Sequence, residues 1–240
     1  MKSVKAKSVT WLIDLDNTLH NASHAIFPAM HINMNAYMAT LLGQTGKPAD
    51  CAAVDATRLL YWEKYGATLL GLIKHHNVNA GEFLQQAHQF DNLPGLLRYE
   101  SGLKQCLRRL PGRKILFTNA PRHYARQVVK QLGLKKQFDH SISIESMRVH
   151  GQLRPKPSRW LLKKIAAEKK LSLRRCVLIE DTKENLRTAK QLGMKTVWIT
   201  QYVSADSMHR RRFVHAHYID LKIRSIKQLP AQLSRLSLTK

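Results

Sequence analysis

Val9 to Leu15 is a short, nearly continuous apolar stretch broken by Asp14 at its end. That is the pattern of a strand buried on both faces that runs into a functional loop. Comparable runs recur at Lys114–Asn119, Ser141–Ile144, Cys176–Glu180, Thr196–Thr200 and Ala216–Asp220. Between them lie segments of helical period, roughly 101–110, 121–132, 157–169 and 183–191. Pro121 and the Pro157-Ser158 pair stand where helices open, and Gly133 and Gly193 sit just past helix ends. Alternation of this kind predicts an α/β fold, a doubly wound, Rossmann-like parallel sheet covered on both faces. Near the C-terminus Ile223, Ile226, Leu229, Leu233 and Leu236 approach helical spacing, and Pro230 divides that segment into two short helical pieces.

Residues 19–100 follow another rule. Helical patterns occur at Ile32–Leu42, Ala52–Trp62, Ala67–His76 and Gly81–Phe90, with no convincing strand. A block of this size is too long for a loop. It reads as an inserted helical cap domain, which leaves 1–18 and 101–240 as the α/β catalytic core. The chain is expected to cross between the two near Leu19–Ser23 and Asn92–Gly102.

With 240 residues, 44% of them hydrophobic, the chain can bury a substantial core. The N-terminal apolar run is too short for a signal-peptide core or a membrane span. Cys51, Cys106 and Cys176 are scattered and form no CxxC pair, so they read as reduced structural thiols in a cytoplasmic protein. Charge changes the picture more. The formal net charge is +24, yet residues 1–100 hold 8 basic and 8 acidic side chains while 101–240 hold 32 and 8. Such asymmetry fits an anionic partner, a phosphate substrate or a polynucleotide, and it fits equally a surface kept basic for solubility.

The candidate chemistry lies at the ends of the expected strands. Asp14 and Asp16, in Asp14-Leu15-Asp16-Asn17-Thr18, close the first one. Burying carboxylates is costly unless a metal or hydrogen bonds compensate, and open parallel sheets bind ligands beyond the carboxyl ends of their strands. Thr118 and Asn119 bring a hydroxyl and an amide suited to phosphate oxygens. Lys156, in Arg154-Pro155-Lys156-Pro157, brings a compact ammonium just before a helix. Glu180 and Asp181 bring the hard oxygen ligands that Mg²⁺ prefers.

These four segments, DLDNT, FTNA, RPKP and IEDT, resemble the four motifs of the haloacid dehalogenase-like hydrolase superfamily. The insertion is placed as in subfamily I members with a helical cap. Within it, Tyr61-Trp62-Glu63-Lys64-Tyr65-Gly66, Leu70-Gly71-Leu72 and His76-Asn77-Val78-Asn79-Ala80 resemble the pyrimidine 5′-nucleotidase branch. The resemblance implies a phosphatase in which Asp14 attacks phosphorus and forms an acyl phosphate. Asp16 would protonate the departing oxygen and then deprotonate the hydrolytic water. Mg²⁺ would be held by the Asp14 carboxylate, the Asp16 carbonyl and Asp181, with Glu180 direct or through water. Thr118, Asn119 and Lys156 would cradle the phosphoryl group. The implied substrate is a nucleoside monophosphate. Motif IV here is Glu180-Asp181, where many nucleotidase-branch members resemble Asp-Asp. Glu-Asp is also familiar in phosphomutase and phosphoglycolate phosphatase-like branches, so a sugar-phosphate phosphatase or a phosphomutase is the alternative enzyme.

A different class, a nucleic-acid-binding or regulatory protein on the same scaffold, would use Arg210-Arg211-Arg212 and the basic stretch Lys222–Arg235. Neither is interleaved with stacking aromatics. Among the remaining residues, Asn185 is expected to orient motif IV, and Lys64, Tyr65, Arg122 and His123 are candidates for contact with distal parts of a substrate. His75-His76 lacks a further ligand at metal spacing. Trp11, Trp160 and Trp198 are expected in packing.

Overall fold

The structure is a computed structural model that describes residues 9–44, 46–203 and 216–237. Along the chain, β1 (Thr10–Ile13) is followed by five helices, α1 (Ala22–Leu42), α2 (Cys51–Tyr65), α3 (Thr68–His76), α4 (Ala80–Ala87) and α5 (Leu93–Leu96). Then come α6 (Leu103–Arg109), β2 (Arg113–Phe117), α7 (Arg122–Gln131), β3 (His140–Ile142), β4 (Arg148–Val149) and β5 (Gln152–Leu153). The chain continues through α8 (Arg159–Glu168), β6 (Cys176–Glu180), α9 (Lys183–Gln191), β7 (Lys195–Ile199) and β8 (Leu221–Ile223) to a 3₁₀ segment, Ile226–Leu236.

Six strands form one sheet in the order β3-β2-β1-β6-β7-β8, every pair parallel. All four residues of β1 and all five of β6 are buried, as near-continuous apolar strands in the middle of a covered parallel sheet must be. Leu12, Ile115, Phe117 and Leu178 from the strands pack with Leu161, Ile165 and Leu186 from α8 and α9. This is the doubly wound α/β fold that the strand–helix alternation implies. The order reverses beside β1, with β2 on one side and β6 on the other, and such a switch point opens a crevice at the carboxyl ends of the strands.

The chain divides into two compact units, Met1–Ala22 with Leu97–Lys240 and Ser23–Leu96. The second is helical. In it, α2 opens on Asp50, whose carboxylate accepts from the Ala53 amide, and closes on Gly66 in the left-handed region. Gly71 of α3 lies against Tyr61 of α2 so closely that a β-carbon there would sit 2.2 Å from the ring Cγ. No helix among the described residues is long and apolar enough to cross a membrane.

The structure corrects several local expectations. The last strand is Leu221–Ile223, not Ala216–Asp220. Asp220 is instead held by the Thr196 amide and by Lys190, and so terminates the turn that precedes the strand. The C-terminal segment stays continuous through Pro230 as 3₁₀ turns, with Ile226, Leu229 and Leu236 buried. Helix α1 begins well before Ile32 and runs through Pro28. The hairpin β4–β5 was not expected from the pattern; strands of two residues are too short to show a period. Trp160 is 64% exposed on α8 beside Lys163, whereas Trp11 and Trp198 are buried as expected. Cys51 is exposed, while Cys106 and Cys176 are buried thiols.

Candidate active site

Asp14 follows β1 directly, and its amide donates to the Ile179 carbonyl of β6 at 3.0 Å. That bond carries the sheet pairing one residue beyond the strand and delivers Asp14 to the switch point beside Glu180, the last residue of β6. The chain then turns sharply. Asn17 takes a φ of 57°, a conformation Asn tolerates better than most residues, and the Leu19 amide donates back to the Leu15 carbonyl at 2.9 Å.

Lys156 reaches the same point from the loop between β5 and α8. Its Nζ donates to Asp14 Oδ1 at 2.6 Å and to Glu180 Oε2 at 2.7 Å, and all three side chains are nearly inaccessible. The loop itself is tied to β2 by a reciprocal pair. Asn119 Nδ2 donates to the Lys156 carbonyl at 3.1 Å, and the Lys156 amide donates to Asn119 Oδ1 at 2.9 Å. Both ends of the Asn119 side chain therefore hold Lys156 in place. One N–H of that side-chain amide and its oxygen are thus spent on positioning Lys156. Thr118 is buried, and its Oγ1 accepts from the Ala120 amide at 3.0 Å, leaving the hydroxyl proton to donate.

The electrostatics follow from burial. Desolvation, aided by the charge of Glu180, pushes the Asp14 carboxyl up to about 7 against the pull of Lys156. Desolvation likewise raises Glu180 to about 7 and raises Asp181. Burial alone would push Lys156 down, but the two carboxylates outweigh it and hold the ammonium charged. Ligand oxygens of Asp14, Glu180 and Asp181 lie within 4.8 Å of one another. Three carboxylates against one ammonium leave an excess of negative charge, and the donors are all oxygen. That set fits a hard divalent cation such as Mg²⁺.

Asp181 is fixed through its backbone: its carbonyl accepts from Trp198 Nε1 at 2.9 Å, and its Oδ1 accepts from Thr182 Oγ1 at 3.2 Å. Two residues that the sequence did not single out complete the neighbourhood. The Tyr124 hydroxyl donates to Asp16 Oδ1 at 2.7 Å, and His20 Nε2 lies 2.9 Å from the same oxygen. Burial and the Asp16 charge hold the Tyr124 phenol well above its ordinary range, so it remains a donor. The signals were present: His20 falls four residues after Asp16, and Tyr124 lies in the first turn after FTNA.

The structure thus brings together Asp14, Lys156, Glu180 and Asp181, with Asp16 on the adjoining turn and Thr118 and Asn119 behind. Asn185 is buried in the first turn of α9, next to motif IV in sequence. Arg122 and His123 are exposed on α7. In the helical unit, Tyr65 pairs with His75 at 2.5 Å and Tyr61 with His76 at 2.8 Å, so both histidines serve hydroxyl contacts there. Arg210-Arg211-Arg212 lie outside the described residues.

Comparison with known proteins places this arrangement. Solved structures of the same fold include an L-2-haloacid dehalogenase from Xanthobacter autotrophicus, 16% identical, with a TM-score of 0.57 over 95% of this chain and 98% of that one. A HAD phosphatase from Thermococcus onnurineus is 18% identical, with a TM-score of 0.62 over 95% and 97%. A putative beta-phosphoglucomutase from Thermotoga maritima is 16% identical, with a TM-score of 0.55 over 95% and 99%. At these identities the likeness is one of fold. A family model of haloacid dehalogenase-like hydrolases matches residues 10–193, a span that holds all four motifs. The chain belongs to the haloacid dehalogenase-like hydrolase family.

Proposed function

We propose that the protein is a Mg²⁺-dependent phosphomonoester hydrolase that works through a phosphorylated Asp14. The observation that carries this reading is the buried Asp14–Lys156–Glu180 array with Asp181 beside it and Asp16 on the adjoining turn. Asp14, Asp181 and the Asp16 carbonyl would hold the cation, with Glu180 direct or through water. When bound, the cation supplies the positive charge that lets an anionic nucleophile approach an anionic phosphate.

The remaining chemistry belongs to the chain. An Asp14 carboxylate oxygen attacks phosphorus as the ester P–O bond breaks, and Asp16 gives its proton to the departing oxygen. Lys156 and the Thr118 hydroxyl face the charge on the transferring group. Water then attacks the acyl phosphate, losing its proton to Asp16, and inorganic phosphate leaves as the Asp14 carboxylate is restored. Catalysis of this kind is mostly positioning and electrostatics, and the hydrogen bonds around Lys156 supply the positioning.

The finer reading of the substrate is a pyrimidine nucleoside monophosphate. It is supported by the cap stretch Tyr61–Gly66 and by FTNA, and the motif IV pair Glu180-Asp181 keeps sugar phosphates as the alternative. A phosphate-release screen over nucleotides and sugar phosphates, with and without Mg²⁺, tests both levels. Release from nucleoside monophosphates that stops on chelation is the expected result. Release from sugar phosphates alone replaces the substrate, and no release from any ester overturns the proposal.

A further inference from the structure

We infer that the edge of the sheet at β3 carries a second binding site, one that takes small organic anions. The chemistry it fits is a carboxylate, phosphate or sulfonate head on an aromatic or aliphatic body. The site lies within the α/β unit, shares no residue with the one around Asp14, and does not depend on the phosphatase reading.

A cavity of about 570 Å³ is lined by β2, α7, the turn that follows α7, and β3. That is the size of pockets that enclose small ligands. Its floor is apolar. Leu116 of β2 and Ala125 and Val129 of α7 line it although each is less than a tenth exposed, and the half-buried Phe138 adds an aromatic face. β3 is the outermost strand on this side, so among the described residues no further strand covers the opening.

The rim is cationic, and helix geometry explains why. Residues four apart share a helix face, so setting Ala125 and Val129 against the sheet brings Arg126 and Lys130 one step round to the mouth. Lys135 and His140 complete the rim, and all four are exposed. Among the described residues, none of these four side chains makes a hydrogen bond or an ion pair. The one acid in the lining, Asp139, does not answer them, since its Oδ2 accepts from the Lys114 amide at 2.7 Å.

The two halves of the lining together select the ligand. A solvated basic face needs no apolar floor, and a pocket for a neutral molecule needs no ring of cations. An organic anion uses both. Its body takes apolar surface out of water, while Arg126 grips the oxygens of its head as a fork and the two lysines add charge.

The test uses 8-anilinonaphthalene-1-sulfonate, an aromatic body with one anionic head, titrated by fluorescence into the full chain without Mg²⁺ or substrate. Saturable binding is expected, weakened about tenfold or more in the double variant Arg126→Gln/Lys130→Gln. Both positions are exposed, so these changes leave the core untouched. Arg159→Gln/Lys163→Gln removes the same charge from α8, outside the cavity lining, and should bind as the wild type does. N-Phenyl-1-naphthylamine, the same body without the sulfonate, should bind about tenfold or more weakly than the sulfonate. No saturable binding to the wild type, or equal losses in the two double variants, would overturn the inference. So would equal binding of the uncharged probe, or displacement of the sulfonate by an equal concentration of inorganic phosphate.

Discussion

In the α/β unit Asp14, Lys156 and Glu180 are each less than a tenth exposed, and the one ammonium bridges the two carboxylates across 2.6 and 2.7 Å. Among the described residues of 23–96 no charged side chain is buried, and Thr68 and Tyr61 are the buried residues with a polar side-chain group. The first unit accepts a large desolvation cost in order to place charge at the end of a sheet. The second follows the ordinary rule that ionised groups stay near water. Buried charge that packing does not need marks where the chemistry is.

Removing Lys156 breaks this contrast most severely. Lys156→Met would leave two carboxylates buried with no ammonium between them. Losing one partner of a buried ionic array costs about 3–5 kcal/mol. The unfolding free energy should fall by that amount, read as a lower denaturant midpoint, and turnover should vanish with it. A midpoint that stays put would show that the array is not the buried unit described above.

A smaller effect sharpens the comparison from the other side. Gly71→Ala in α3 would gain up to about 1 kcal/mol of helix propensity. The new methyl would meet Tyr61 at its Cβ and Cγ, the rigid root of that side chain. Overpacking of this kind costs about 1–3 kcal/mol, so the clash should win and the variant should be less stable. A melt of unchanged or raised midpoint would mean that the α2–α3 contact is looser than the structure gives.

Much of the fold was legible because its signals are local. Buried strands such as Cys176–Glu180 read as apolar runs, and helix boundaries such as Lys183–Gln191 were punctuated by residues with fixed backbone preferences. Asp220 was misread as part of a strand because its bonds go to Thr196 and Lys190, partners the local pattern cannot reveal. The same limit applies at the site. Asp14, Lys156, Glu180 and Asp181 stood out by type and spacing. Tyr124 did not, because its link to Asp16 spans 108 positions and depends on the sheet bringing β1 beside β2. Asn119 was recognised as a site residue, but its paired bonds to the Lys156 backbone join positions 37 apart and were not legible.

The central claim is that the buried Asp14 becomes phosphorylated. Mass spectrometry of the protein, acid-quenched during turnover of a phosphomonoester with Mg²⁺, tests it directly. The account predicts a phosphoryl adduct on the peptide that contains Asp14, labile to hydroxylamine and absent from Asp14→Asn, which folds but does not turn over. Turnover with no adduct on Asp14, or an active Asp14→Asn variant, would contradict it.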